Sequence, residues 1–435
     1  MSEPGFKDWS PREFFELAEL LGQRWSAALP FFAVAVAKWR YEDLVPGLSD
    51  LDPRVLCRDI GADEWLALDH ITAEIQLEIL WEYPEWSRKL EHTPGVCMTL
   101  SEIFDPLLYQ PEMRQWSYYY GDLDVYHQIK GYLRGRPWDE RDERFHLARW
   151  LMFWGPYNRE IDPPINVAAA AEPKYALHSR AMHYFVPALQ AALSIVDREA
   201  VGGKRETLYR WLSRYPHESV LDEVTHMLEV HYEVVALHDR DALYAFEDRC
   251  FAFLQKIAPL VLDAVTAVPL PEKATTDDLR ARYRAQSPDP LQTMFTGVKY
   301  ARIRTGRWHI YLHAPQYFAT HWLFVNEILQ MGAYFTRPFF SALACLYWGD
   351  AAISIEETLA RLQQQTLSAD EAGVVLQMFE VAHGGSDHDS AREKVKRAMP
   401  LFPTYYRILE RLFAGALAQQ RERQRDNTTN GRMHQ

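Results

Sequence analysis

Asp50 and Asp52 stand one residue apart in the segment GLSDLDPRV (47–55), shortly after the apolar run FFAVAVA (31–37). On an extended strand, residues i and i+2 project from the same face. Two carboxylates side by side repel, so either that face is wet or a cation lies between them. The first reading makes DLD a solvated turn. The second is more specific: with a third carboxylate from a neighbouring strand, the pair forms a hard-oxygen site of the kind that holds Mg²⁺ together with substrate phosphates. The third acid can bind metal or take the proton of an attacking hydroxyl. Glu102 suits that place at the end of PGVCMTLSEI (94–103), whose alternating pattern predicts a strand; Asp105 is the fallback.

These acids need a sheet to carry them, and the flanking pattern supplies one. WSPREFFELAELLGQRWSAAL opens as a helix, with Ser10 as N-cap and Pro11 at the first helical position. FFAVAVA and the end of VPGLSDLDPRVLC read as strands around a turn at Pro46-Gly47. ADEWLALDHITAEIQLEILWEYPEW reads as a long helix stopping near Pro84, before the 94–103 strand. Pro53 directly after the acids cannot donate a ladder hydrogen bond, which puts that strand near an edge or at its end. From about Tyr118 the spacing turns helical and stays so to a Pro/Lys/Asp-rich linker at 268–278. Beyond the linker, VKYARIRTGRWHIYLH predicts a hairpin turning at Thr305-Gly306, with Lys299, Arg302, Arg304 and Arg307 as a basic face or simply a wet one. Further helices and a polar tail, QQRERQRDNTTNGRMHQ, expected to be disordered, complete the chain.

A net charge of −13 works against a nucleic-acid surface, which would have to be a local basic patch. The longest apolar runs are too short to span a bilayer, and MSEPGFKDWSPREFF lacks the charge-then-apolar order of a signal peptide. The four cysteines form no CxxC pair and sit in apolar contexts, so they read as buried free thiols. A cytoplasmic protein is the expectation. Glu223-x-x-His226 and Glu229-x-His231 lack the second Glu-x-x-His that a di-iron bundle needs, and their histidines read as solvated or core-edge residues.

The 31–55 stretch resembles the nucleotidyltransferase superfamily that includes DNA polymerase beta and the aminoglycoside adenylyltransferases. The family pattern is a strand ending in Gly-Ser, a spacer, a Ser-Asp-x-Asp element and a later acid. Here AVAVAKWRYEDLVPGLSDLDPRV carries the strand, the spacer and Ser49-Asp50-Leu51-Asp52. A second segment, HSRAMHYFVPALQAALSIVDREAVGGKRETLYRWLSRYP, resembles the helical domain of the adenylyltransferases through Arg180 and the Gly203-Lys204-Arg205-Glu206-Thr207 turn; RQWSYYYGDLDVYHQIKGYL resembles the family's connecting segment. The likeness covers roughly residues 15–235.

The resemblance implies an α+β chain. A small mixed-sheet nucleotidyltransferase-like domain (1–125) precedes an all-helical domain (126–268), an α-rich C-terminal extension (279–420) and the tail (421–435). It implies Mg²⁺-dependent transfer of a nucleoside monophosphate from an NTP to a hydroxyl of a small molecule. Asp50 and Asp52 would be metal ligands and Glu102 the third ligand or base, with Lys38, Ser49, Arg180 and Lys204 toward the nucleotide. A lysine at a helix N-terminus joins its charge to free backbone N–H groups, a combination suited to phosphate. One position departs from the pattern. Where the family has Gly-Ser, this chain has Ala37-Lys38, adding a Cβ at a close approach and a long cation in place of a small donor. Either Lys38 binds a phosphate itself, or the triphosphate site is lost and the chain is an inactive scaffold binding a nucleotide or a protein partner.

Overall fold

The computed structural model describes residues 11–38, 43–44, 51, 53–90, 94–154, 184–229, 240–314, 320–383 and 388–432. The chain is α+β: a small mixed sheet of four strands and, for the rest, helices. It divides into two compact units that interleave along the sequence, residues 1–24, 33–53 and 103–287 in one, 25–32, 54–102 and 288–435 in the other.

In the first unit, β1 (Phe32–Ala37) is buried at every position, as its two-sided apolar sequence FAVAVA requires. It pairs antiparallel with β4 (Ser117–Gly121), Ala35 opposite Tyr120 and Ala37 opposite Ser117, with a register slip between Ala35 and Val36. The sequence pattern reads as turning helical from about Tyr118; Ser117–Gly121 is instead a strand, ended by Gly121 at φ 106°. The helix Pro11–Ala28 lies so close over β4 that a Cβ on Gly22 would fall 2.2 Å from the Tyr120 ring. The helical part of the unit closes over one core containing Trp150, Phe185, Leu189, Trp211, Phe253 and Ile257. Asp122 caps the helix Leu123–Gly135 by accepting from the backbone N–H groups of Asp124 and Val125.

In the second unit, β2 (Arg54–Cys57) and β3 (Gly95–Thr99) run parallel and are buried throughout, joined by the crossover helix Ala62–Glu82. Cys57 and Cys97 lie on these strands, free and buried; burial raises the Cys57 thiol and pushes that of Cys97 up to about 12. The 94–103 segment stops being a strand at Thr99, and Leu100–Phe104 is helical, so Glu102 sits in a first helical turn and not at a strand end.

VKYARIRTGRWHIYLH is not a hairpin. It contributes to two helices, Pro290–Ala301 and Arg304–His313, and its basic residues point inward. Lys299, Arg302 and Arg304 are at most 3 % exposed. Arg304 pairs with Glu327, which also accepts from the indole of Trp308 at 3.0 Å. Gly306 marks a close approach, not a turn: the Asp69 carboxylate accepts from its N–H at 2.9 Å and from the Thr305 hydroxyl at 2.6 Å. A Cβ there would lie 2.4 Å from Asp69. The final helix, Phe402–Arg432, carries through most of the polar C-terminal stretch, whose Gln, Glu and Arg are strong helix formers. Among the described residues, no helix is long and apolar enough to cross a membrane.

Candidate functional site

Glu102 belongs to a Thr-x-x-Glu capping box. Its carboxylate accepts from the Thr99 backbone N–H at 2.8 Å, and its own N–H donates to the Thr99 hydroxyl at 3.3 Å. The same carboxylate is clamped by Arg302, whose two terminal nitrogens donate to its two oxygens at 2.8 and 2.6 Å. Arg302 also donates to Glu410 and to the Cys97 carbonyl, and its guanidinium lies 4.2 Å over the Trp65 ring. Burial works against the charge of Arg302, but the facing carboxylates of Glu102 and Glu410 hold its pKa well above the usual guanidinium value. Tyr406 donates to Glu410 and closes the network. Both oxygens of Glu102 therefore serve a buried cation that repels a second one. In this arrangement Glu102 is engaged by Arg302 and by the capping box.

Lys38, immediately after β1, is paired with Glu112 at 2.6 Å. Its charge is met by a carboxylate of the same unit. Lys204 does open a helix, Lys204–Arg214, as the Gly203-Lys204 turn implies. The N-terminus of that helix is occupied from within: the buried Asp43 carboxylate accepts from the backbone N–H groups of Lys204 at 3.0 Å and Arg205 at 2.9 Å. The Lys204 ammonium donates to the Asp43 carbonyl at 3.3 Å. An anion does stabilise this helix end, as the dipole argument expects, and it is supplied by the chain itself. Gly203 is needed for this, since a Cβ there would lie 2.2 Å from Asp43 Oδ2.

Ser49, Asp50, Asp52 and Arg180 lie outside the described residues. Leu51, between the two acids, is buried, and the strand that follows begins at Arg54. Among the described residues, no group of three or more His, Cys, Asp or Glu is placed to hold a metal ion.

Sequence reasoning picked the charged residues and missed their partners, Arg302, Glu112 and Asp43. Only the capping box was readable, as Thr99-Leu100-Ser101-Glu102. The other three are long-range, at separations of 200, 74 and 161 residues, and no local pattern signals them. In comparisons with protein-family models, with curated proteins and with solved structures, the chain matches none of them.

Proposed function

We propose that this chain is a nucleotidyltransferase-like scaffold that binds a nucleotide or a protein partner and does not catalyse transfer. The observation carrying the reading is the Glu102–Arg302 clamp, which commits the expected third acid to a structural cation. The Lys38–Glu112 pair and the Asp43 cap support it, since each satisfies internally a charge that the transferase reading assigns to phosphates. The competing reading, Mg²⁺-dependent transfer of a nucleoside monophosphate to a small-molecule hydroxyl, is favoured by the Ser49-Asp50-Leu51-Asp52 sequence.

Incubation with α-labelled ATP, GTP, CTP and UTP, Mg²⁺ and a pool of small hydroxylated metabolites separates the two. The scaffold forms no labelled product. A labelled product that disappears in Asp50→Asn/Asp52→Asn overturns the scaffold reading.

A further inference from the structure

One cleft in the first unit carries charge opposite in sign to the chain as a whole. It encloses about 280 Å³ and is lined by Arg114, Lys130, Arg134, Arg136 and Arg198, by Trp138, and by a single carboxylate, Glu199. The chain's net charge is −13, so five cations around so small a space are not a reflection of composition. Such a concentration repels itself unless something negative faces it.

Part of the answer lies behind the wall. Arg114 donates to Asp142 at 2.8 Å, to the Tyr109 hydroxyl at 2.6 Å, and to the carbonyls of Leu133, Arg136 and Pro137. Arg136 pairs with Asp139 and lies 3.9 Å over the Tyr109 ring. Lys130 donates to the carbonyls of Arg114 and Trp116. Asp139 and Asp142 thus offset two of the cations and hold the inner wall rigid. Arg134 and Arg198 at the rim are exposed, and Glu199 is drawn toward Arg210 at 3.4 Å.

One further feature distinguishes the cleft from a solvated basic patch. Arg198 is the one non-glycine residue with positive φ among those described, at 53° in the left-handed region. It ends the helix Val186–Asp197, at a place where glycine or asparagine is the usual residue. The backbone asks for a residue without a side chain, and the chain supplies a long cation. A strained conformation held at a ligand-sized cleft points toward use of that side chain.

We infer that the cleft binds a small polyphosphate-type anion. Guanidinium groups held by a rigid wall match phosphate oxygens in pairs. The volume, just under that of typical small-molecule sites, suits a pyrophosphate-sized group. The site uses neither Asp50 nor Asp52 and stands apart from the choice between scaffold and transferase.

The test is calorimetric titration of the full chain with inorganic pyrophosphate in magnesium-free buffer at low salt. Saturable binding at one site is expected, and Arg198→Gly and Arg134→Ala should each weaken it by about tenfold or more, the worth of a charge-assisted contact. Arg198→Gly suits the left-handed backbone, so its thermal stability should hold or rise, separating binding from folding. Arg249→Ala, at an exposed arginine paired with Glu223, and Asp50→Asn/Asp52→Asn should bind as the parent does. Absence of pyrophosphate binding by the folded parent overturns the inference. So does binding unchanged in both arginine variants, binding lost in the double asparagine variant, or uptake of a single-stranded oligonucleotide without uptake of pyrophosphate.

Discussion

Arg302 and Glu102, 200 residues apart in sequence, meet in a two-bonded ion pair at 2.6 and 2.8 Å in which the arginine side chain is only 1 % exposed. The pair ties the helical turn after β3 to the end of the helix Pro290–Ala301, within one unit. The pair is the observation on which the scaffold proposal rests, since it gives Glu102 a buried cation for a partner.

Arg302→Ala leaves Glu102 and Glu410 facing each other without a counter-charge. Removing one partner of a buried pair costs about 3–5 kcal/mol. Urea unfolding should show that loss for Arg302→Ala. Glu102→Gln, which keeps an acceptor and leaves Arg302 its second carboxylate, should lose only about 1–2 kcal/mol. Unchanged stability in both would return Glu102 to the list of free acids.

Asp69 gives the protein a pH dependence. Burial pushes its carboxyl up to about 7, against the opposing bonds from Thr305 and Gly306 and the nearby Arg304 and Arg307. Because the folded value lies above the unfolded one, the native state keeps a proton that the unfolded chain has lost. Stability from this group is intact below about pH 4 and falls as pH rises through 7. Between pH 5 and 8 the loss is about 2–3 kcal/mol. Asp69→Asn should flatten that slope in urea unfolding at the two pH values; an equally steep slope in the variant would rule Asp69 out as its source.

Asp43 holds the N-terminus of the helix Lys204–Arg214 through two backbone N–H groups. Asp43→Ala should cost about 1–2 kcal/mol, the worth of a good cap. Gly203→Ala should lose a similar amount by displacing the carboxylate, and Asp43→Asn should lose less than either. Thermal unfolding of the three variants checks the order, and an unchanged melting temperature for Asp43→Ala would mean that the cap contributes nothing.

Of the four cysteines, Cys57, Cys97 and Cys250 are buried, with thiol pKa values raised by burial, while Cys345 is half-buried. The nucleophile is the thiolate, so the three buried thiols should stay silent to an aromatic disulfide reagent at pH 8. At most one thiol should react before the protein unfolds, and Cys345→Ser should abolish that reaction. A second fast thiol would show that one of the strand cysteines is reachable.

Local pattern carried the helix-strand-strand-helix-strand order of the first hundred residues, because apolar periodicity there is strong and the breaks at Pro84 and Pro94 are clean. It failed where a side chain's partner lies far along the chain. Gly306 read as a hairpin turn because a glycine between basic residues gives no sign that Asp69 lies against it. Arg302, Arg304 and Lys299 read as a surface because single-sequence charge carries no information on burial, and the counter-charges of the two arginines at Glu102, Glu410 and Glu327 are scattered. Glu102 read as a strand end because the alternation runs past Thr99, although Thr99 and Glu102 already spell a helix start.

The central claim, a nucleotidyltransferase-like scaffold without transferase chemistry, is tested most directly by the magnesium dependence of NTP binding. ATP, GTP, CTP and UTP are titrated calorimetrically into the parent chain and into Asp50→Asn/Asp52→Asn, each with and without Mg²⁺. The expected result is an affinity, where any is seen, that neither Mg²⁺ nor the double substitution changes by more than about twofold, within the tenfold that 1.4 kcal/mol represents. NTP binding that requires Mg²⁺, is lost in the double variant and is accompanied by pyrophosphate release would contradict it.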